Sequence, residues 1–273
     1  MAAAGTDARG RARVRLDGLL VERGLAESRA KAQALIMAGA VSVNDQPARK
    51  PGEMVAAEAT LAVAQAERFV SRGGRKLEHA LATFGIEVDG RRCLDAGAST
   101  GGFTDCLLQR GAARVFAVDV GHGQLDWRLR NDPRVAVMDR TNVRYLESLP
   151  QPVDLCVADL SFISLRLVLD RIAGLADADA DLVVLVKPQF EAGRAEVGSG
   201  GVVRSPAVHR RVLTELWDWS VAAGLSPRGL TASPVRGPAG NVEFLMWLSR
   251  SHGVAEVRDA WVAAALAEAA GVA

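Results

Sequence analysis

The segment from Arg92 to Asp105 constrains the fold of this chain more than any other. It reads as a short buried strand, a turn of small residues and the start of a helix, and a second strand, residues 115–119, ends in Asp119. This is the order of a βαβ nucleotide site, in which glycines let the backbone approach a ligand and the helix N-terminus offers free N–H groups. An acid that closes the second strand is placed to accept ribose hydroxyls.

The glycines of this turn do not follow the dinucleotide pattern G-x-G-x-x-G, and the chain has no phosphate-binding G-x-x-x-x-G-K-[ST] motif. Asp95 precedes the first glycine by two residues and suits a ligand with a cationic amino-acid end. S-adenosylmethionine is such a ligand, so the turn predicts a site for it. The alternative is an ordinary βα turn of a doubly wound fold.

From Gly90 onward, candidate strands alternate with helical patterns, which indicates a parallel sheet. Seven strands are predicted, at residues 92–95, 115–120, 135–138, 153–158, 181–187, 230–233 and 242–248. A long helix, residues 207–223, precedes the last two strands, and another spans residues 256–269. The fold class is therefore α/β, with a seven-stranded Rossmann-like sheet of the methyltransferase type.

The first 62 residues read as a separate, small α+β unit. One helix ends at Gly24, and Ser28 caps a second helix. Residues 41–43 then alternate into a turn at residues 44–47, and residues 54–55 are expected to return as the second strand of a hairpin.

Chemically reactive side chains stand at the predicted carboxyl ends of the strands, where ligands gather in such a sheet. Asp159 and Lys187 each close a strand, and Glu243 begins the last one. If that strand is antiparallel, Glu243 shares their edge. Only four of the 33 basic residues are lysines, so Lys187 and Lys76 are conspicuous. A lysine crowded by another cation loses its proton more easily. The pattern predicts a proton-handling site, and a buried ion-pair network is the alternative.

The stretch from Arg15 to Asn44 resembles an S4 RNA-binding domain. The resemblance implies that Arg29 and its neighbours face RNA phosphates. The predicted RNA-binding residues are Arg13, Arg15, Arg29, Lys31, Lys50, Arg72 and Arg75. A merely solvated basic surface is the alternative, and the segment Ser71–Gly74 also suits a hinge between domains.

Lys76, Asp159, Lys187 and Glu243 stand in the order of the K-D-K-E tetrad of FtsJ-like ribose 2′-O-methyltransferases. With the S4-like part, residues 13–248 resemble the TlyA family, which joins the two domains and methylates cytidine ribose in ribosomal RNA.

This resemblance implies that Lys187 takes or relays the 2′-hydroxyl proton, that Asp159 and Lys76 orient it, and that Glu243 completes the network. It implies an S-adenosylmethionine site with Asp119 at the ribose and Asp139 at the adenine. The expected cofactor residues are Asp95, Gly97, Ala98, Ser99, Gly101, Gly102, Phe103, Asp119 and Asp139.

The expected organisation is an S4-like domain at residues 1–62, with a flexible tail up to residue 12, a linker at 63–72 and a methyltransferase domain at 73–273. Ribosomal RNA or a ribosomal subunit is the expected partner. Apolar runs are too short for a bilayer and no signal segment is found, so we expect a cytoplasmic protein. Four scattered histidines and three separated cysteines favour neither a metal site nor a disulfide. A monomer is expected.

Other functions compete with this interpretation. Amino-group methyltransferases carry paired prolines and an aromatic clamp at a strand end, and Asp159-Leu160-Ser161-Phe162 is taken to offer none. Pyrimidine C5 transfer needs a nucleophilic cysteine, but Cys156 lies inside a strand. A non-catalytic RNA-binding or ribosome-assembly factor would also contain an S4 domain. Some relatives carry a haemolysin name, yet no amphipathic or membrane-spanning segment is found.

Overall fold

The computed structural model describes residues 5–6, 12–64, 68–250 and 257–272. The chain divides into two compact units, Met1–Arg68 and Phe69–Ala273, and each is described by itself. The predicted linker, residues 63–72, spans this division. Phe69 is buried in the core of the second unit beside Leu77 and Phe103.

The first unit contains short strands and two helices. In chain order they are β1 (Gly5–Thr6), β2 (Ala12–Arg15), α1 (Leu16–Glu22), α2 (Arg29–Met37), β3 (Val41–Val43), β4 (Gln46–Pro47), β5 (Met54–Ala56) and β6 (Leu61–Val63). The strands form two antiparallel sheets, in the orders β1-β2-β5 and β4-β3-β6. The Ser28 hydroxyl accepts the N–H of Lys31 at 3.2 Å, the predicted cap of α2.

The predicted hairpin in this unit is wrong in its second strand. Asn44 and Asp45 both have positive φ, 49° and 61°, and make a two-residue turn that sends the chain straight back as β4. Pro47 has no N–H to continue the pairing. β5 pairs with β2 instead.

Part of the predicted N-terminal tail forms a strand. The backbone of β1 pairs with the first two residues of β2, so residues 5–6 and 12 are in a sheet. Residues 1–4 and 7–11 lie outside the described residues.

The second unit is built on one sheet with helices on both faces. Its strands are β7 (Arg92–Ala96), β8 (Arg114–Val118), β9 (Val135–Met138), β10 (Val153–Ala158), β11 (Ala176–Val186), β12 (Ser226–Ala232) and β13 (Phe244–Ser249). Its α-helices are α3 (Gly73–Phe84), α4 (Gly102–Gln109), α5 (Trp127–Arg130), α6 (Leu169–Gly174), α7 (Pro188–Glu191), α8 (Pro206–Ala222) and α9 (Arg258–Ala270). Short 3₁₀ turns lie at Val143–Tyr145, Leu165–Leu167, Arg194–Glu196 and Ser199–Gly201.

The strand order is β12-β13-β11-β10-β7-β8-β9. β13 runs antiparallel to both its neighbours, β12 and β11. The other four pairs are parallel: β11–β10, β10–β7, β7–β8 and β8–β9. This arrangement confirms the predicted seven-stranded methyltransferase sheet. It also brings the start of β13 to the edge where β7, β8, β9, β10 and β11 end.

Successive residues along the central strands enter different cores. Leu94 joins a core beneath α6, α8 and α9, which includes Ile172 and Leu216. Cys93 joins a core on the other face beneath α3 and α4, which includes Leu77 and Leu107. Both faces of the sheet are therefore covered, and ligands are left with the edge at which the parallel strands end.

Candidate active site

A cavity of about 540 Å³ opens at this edge of the second unit. Ten of the predicted site residues line it: Arg72, Lys76, Gly97, Ala98, Ser99, Gly102, Phe103, Asp159, Lys187 and Glu243. The lining does not include the predicted residues Arg75, Asp95, Gly101, Asp119 and Asp139. The fold thus gathers all four tetrad residues and most of the glycine turn around one space.

The four tetrad residues form two ion pairs. Lys76 donates to Glu243, and only 6% of Lys76 and 1% of Glu243 are exposed to solvent. Lys187 lies 2.7 Å from a carboxylate oxygen of Asp159. Each lysine therefore has its own carboxylate, and both lysines line the same cavity. The expected crowding of one lysine by the other stays a prediction.

Backbone contacts between strands fix these side chains. The N–H of Asp159 donates to the carbonyl of Ala96 at 3.0 Å, which ties the end of β10 to the end of β7. The carbonyl of Glu243 accepts the N–H of Ser233 at 2.8 Å. A Cβ at Gly237 would lie 2.5 Å from Oε1 of Glu243, so a larger residue there would displace that carboxylate.

The glycine turn after β7 forms the opposite part of the cavity. Gly97 has φ of +87°, and a Cβ there would lie 2.5 Å from the carbonyl oxygen of Asp159. Glycine is required at this position both by its backbone conformation and by the close approach of Asp159. The turn leads into the N-terminus of the eight-residue helix α4.

Asp95 lies beneath this turn and is completely buried. One carboxyl oxygen accepts the hydroxyl of Thr104 at 2.6 Å, and the other has no hydrogen-bond partner. Burial, opposed by the Thr104 hydrogen bond, raises the pKa of Asp95 to about 7. Its predicted contact with a cofactor remains a prediction, since the side chain does not line the cavity.

Asp119 and Asp139 follow β8 and β9. The carboxylate of Asp119 accepts the N–H groups of Ser99 at 2.8 Å and Gly121 at 2.7 Å, so it joins the glycine turn to its own loop. Asp139 accepts from Arg130 at 2.8 Å, and this contact holds the pKa of the Asp139 carboxyl below its usual value. Their roles at the ribose and the adenine remain predictions.

The predicted RNA-binding residues are all solvent-exposed. In the first unit, Arg15 and Arg29 both contact the buried carboxylate of Asp17, at 2.8 Å and 3.4 Å. Arg13 donates to the carbonyl of Met54. The remaining predicted RNA-binding residues are Lys31 and Lys50 in the first unit and Arg72 and Arg75 in the second.

Three residues at the cavity were missed by the sequence analysis. Ser161 accepts a hydrogen bond from Lys187 at 2.8 Å. Phe162 is 90% exposed, and its ring centroid lies 5.2 Å from that of Phe190, which also lines the cavity. This strand end has no paired prolines, as the sequence analysis noted, but it does place an exposed aromatic ring at the cavity. The signal was present, because Phe162 follows the strand-end Asp159 by three residues.

The three cysteines, Cys93, Cys106 and Cys156, are buried and form no disulfide. Burial raises the pKa of the Cys156 thiol far above its usual value, which opposes the thiolate that pyrimidine C5 transfer needs. Within the described ranges, no three histidine, cysteine, aspartate or glutamate residues are grouped to hold a metal ion. In those same ranges, no helix combines the length and apolar character needed to cross a membrane.

Comparisons with known proteins agree with this geometry. Residues 69–250 match the FtsJ-like methyltransferase family, and residues 14–61 match the S4 domain. The chain is 54% identical over 240 residues to the 16S/23S rRNA (cytidine-2′-O)-methyltransferase TlyA of Mycobacterium tuberculosis, covering 86% of this chain and 90% of that protein. It is 39% identical over 238 residues to Hemolysin A of Brachyspira hyodysenteriae, covering 85% and 98%.

A solved structure of a hemolysin-named protein from Streptococcus thermophilus aligns with a TM-score of 0.73 and 41% identity, covering 94% of this chain and 96% of that one. The fold and cavity therefore define a methyltransferase of the FtsJ-like class. The chain belongs to the TlyA family within that class, whose members carry an S4 domain before the methyltransferase domain.

Proposed function

We propose that this protein transfers a methyl group from S-adenosylmethionine to the ribose 2′-hydroxyl of cytidine in ribosomal RNA. One observation carries the proposal. The ion pairs Lys76–Glu243 and Lys187–Asp159 line the same cavity as the glycine turn. The relative from M. tuberculosis, at 54% identity, is named for this reaction.

The residues present fit S-adenosylmethionine. A volume of about 540 Å³ lies within the usual size of small-molecule sites. Gly97, Ala98 and Ser99 of the glycine turn line the cavity, and Asp119 is held next to the turn through Ser99. When bound, the cofactor supplies a methyl group on a positively charged sulfur.

Lys187 is the group that would take the proton of the 2′-hydroxyl. The Lys187–Asp159 ion pair contains an ammonium, so Lys187 must first release a proton to water before it can act as a base. The resulting neutral amine has two N–H bonds and one lone pair. Asp159 and Ser161 accept one N–H each, at 2.7 Å and 2.8 Å, which leaves the lone pair for the hydroxyl. The hydroxyl proton passes to Lys187 as the oxygen gains the methyl group, and Lys187 later releases it to water.

The second ion pair supports this geometry. Glu243 and Lys76 are buried together, so each holds the other at the cavity wall. Holding the hydroxyl and the methyl donor in line supplies much of the rate enhancement. We infer that Lys76 and Glu243 contact the ribose of the target.

Exposed arginines supply the RNA surface in this proposal. Phosphates are bound by arginine and lysine through charge-assisted hydrogen bonds. Arg15 and Arg29 of the S4 domain, with Arg72 at the cavity, provide them. A ribosomal substrate implies that the protein acts in the cytoplasm, and we propose that it acts there as a monomer.

The test is methyl transfer from labelled S-adenosylmethionine to separated ribosomal subunits, followed by mapping of the modified nucleotide. We expect label on a cytidine 2′-oxygen, and a loss of at least about a thousandfold in kcat for Lys187→Met, because the proton acceptor is gone. S-adenosylmethionine binding by calorimetry should persist in this variant.

A matched serine pair serves as control. Ser161→Ala removes a hydrogen bond to Lys187, whereas Ser164→Ala removes one to Glu191. We expect about a tenfold loss of kcat only in the former. If neither subunit is labelled while RNA binding is intact, the protein is an RNA-binding factor, and full activity in Lys187→Met would refute the mechanism.

A further inference from the structure

One wall of the active-site cavity consists of small, uncharged residues that the proposed mechanism does not use. Gly200 and Gly201 belong to the loop between α7 and α8, and Gly237, Pro238 and Ala239 belong to the turn before β13. The cations that line the cavity lie on other segments of the chain. The residues of this wall therefore offer no side-chain charge to a phosphate.

Asn241 ties the loop to the turn. It is only 2% exposed, and its side-chain oxygen accepts the N–H of Val203 at 3.0 Å. Its side-chain nitrogen donates to the carbonyl of Gly201 at 2.9 Å, and its backbone carbonyl accepts the N–H of Gly237 at 2.9 Å. Asn241 also precedes Glu243 by two residues, so the wall and the tetrad share one support.

The end of the loop is anchored independently. The side chain of Val203 is buried, and its carbonyl lies 3.0 Å from Nε2 of His209. A carbonyl can only accept, so Nε2 of His209 carries the hydrogen. Burial lowers the pKa of His209, which keeps the ring neutral at pH 7. The loop is therefore held at Gly201 and Val203 by two buried side chains.

The loop presents bare backbone to open space. Gly200 has φ of +77°, and a Cβ built there meets no atom within 4 Å. Because Gly200 lines the cavity, that empty space is available to a ligand. Glycine is the residue that lets a ligand approach the backbone closely.

We propose that Asn241 is a positioning residue that holds the loop 198–203 and the turn 237–240 as the wall that binds the base and sugar of the target nucleotide. The inference rests on the proposed function, since a ribose with its 2′-hydroxyl at Lys187 must contact the walls around the tetrad. In this proposal the wall of small residues contacts the uncharged base and sugar, and the exposed cations bind the phosphates.

A matched pair of glycine variants tests the wall. Gly200 and Gly224 have the same φ, +77°, and neither has an atom within 4 Å of a built Cβ. Gly224 lies between α8 and β12, at the opposite edge of the sheet from the cavity. Gly200→Ala and Gly224→Ala therefore both place an alanine at the same positive φ, but only the former changes a residue that lines the cavity.

We expect Gly200→Ala to raise KM for ribosomal subunits at least about tenfold, with Gly224→Ala unchanged. Asn241→Ala should raise the same KM about tenfold while kcat falls less than about threefold. The Kd for S-adenosylmethionine should stay within about twofold in all three variants. Those magnitudes correspond to about 1.4 kcal/mol per tenfold change.

Equal KM values for Gly200→Ala and Gly224→Ala would overturn the inference, even if Asn241→Ala fails to fold. A loss of kcat at unchanged KM in Asn241→Ala would also overturn it, because Asn241 would then act on Glu243 rather than on RNA binding. Absence of methylation by the wild-type protein refutes the proposed function itself. The two failures are therefore distinguishable.

Discussion

The two units of this protein each bury an aspartate, and the two carboxyl groups behave in opposite ways. Asp17 in the first unit accepts hydrogen bonds from Arg15 and from Gln33, and its pKa is held well below the usual value, chiefly by Arg15. Asp95 in the second unit has one hydroxyl donor, Thr104, and its pKa is raised to about 7.

Neither residue is accessible to solvent, but Asp95 lies deep in the core of the second unit, whereas Asp17 lies beneath exposed arginine side chains. Depth of burial and donors both make the difference, because a charged carboxylate needs cations or several N–H groups to replace lost water. Asp17 therefore stays ionised and orients two surface arginines. Asp95 supports the cofactor turn from within an apolar core. One unit uses its buried charge to arrange exposed cations, and the other keeps its charges paired in a cavity.

The largest expected effect comes from removing a buried cation from its acid, compared with removing an exposed one. In Lys76→Met, the buried Glu243 loses its cation, and we expect the second unit to lose about 3–5 kcal/mol of unfolding free energy. Adding Glu243→Leu should recover most of that loss. In Arg29→Met the cost should stay below about 1 kcal/mol, because the Arg29 side chain is 57% exposed and Asp17 keeps its other donors.

Two measurements separate the units in the intact chain. All five tryptophans lie in the second unit, so denaturant unfolding followed by tryptophan fluorescence reports that unit. Hydrogen exchange of the amides in α1 and α2 reports the first. Similar losses in Lys76→Met and Arg29→Met would contradict the comparison.

The next effect is the pH dependence of Asp95. Its folded pKa of about 7 exceeds the unfolded value of about 3.9, so the folded state holds a proton that the unfolded state releases. This contribution is fully present below about pH 4 and is lost as pH rises through 7. Relative to Asp95→Asn, the wild-type unfolding free energy should therefore fall between about pH 4 and 7, by at most about 4 kcal/mol. The unfolding free energy of both proteins is measured by tryptophan fluorescence without cofactor. If it depends on pH in the same way in the wild type and in Asp95→Asn, the prediction is refuted.

Asp17 should show the opposite sign at a smaller magnitude. Because its folded pKa lies below the unfolded one, its contribution is present above about pH 4 and is lost as pH falls further. At pH 7, Asp17→Asn should cost the first unit about 2 kcal/mol, the usual value for hydrogen bonds to a charged group. Exchange rates in α1 and α2 measure this, and a difference that persists unchanged at pH 3 would exclude the ionised form as its cause.

The smallest expected effect is on RNA binding by the arginines that Asp17 orients. Arg29→Ala should weaken binding to ribosomal RNA a few-fold and reduce the salt slope by about one, because one phosphate contact is lost. Arg258→Ala is the control, since Arg258 is a half-buried arginine on α9 paired with Asp218 and Asp259. If the two variants give the same slope, Arg29 makes no phosphate contact.

Much of the fold and the site was readable from the sequence. All seven strands of the sheet were predicted, because apolar runs of that length between helical patterns encode buried strands. The predicted strand-end residues Asp159 and Lys187 met Glu243 in the cavity, because parallel strands end at one edge and β13 runs antiparallel. The second strand of the hairpin after β3 was predicted wrongly. Its pairing depends on a two-residue turn and a proline, and not on the alternation of apolar and polar residues.

The sequence by itself determined the class of the sheet, the glycine turn and the order of the four tetrad residues, since each depends on local spacing and on the direction of strands. Only the tertiary structure decided which lysine pairs with which acid, because Lys76 and Glu243 are 167 residues apart and no local rule selects between the acids. It also decided that the pKa of Asp17 is lowered while the pKa of Asp95 is raised. The number of donors around a buried carboxyl depends on neighbours brought together by packing, and this decides its protonation.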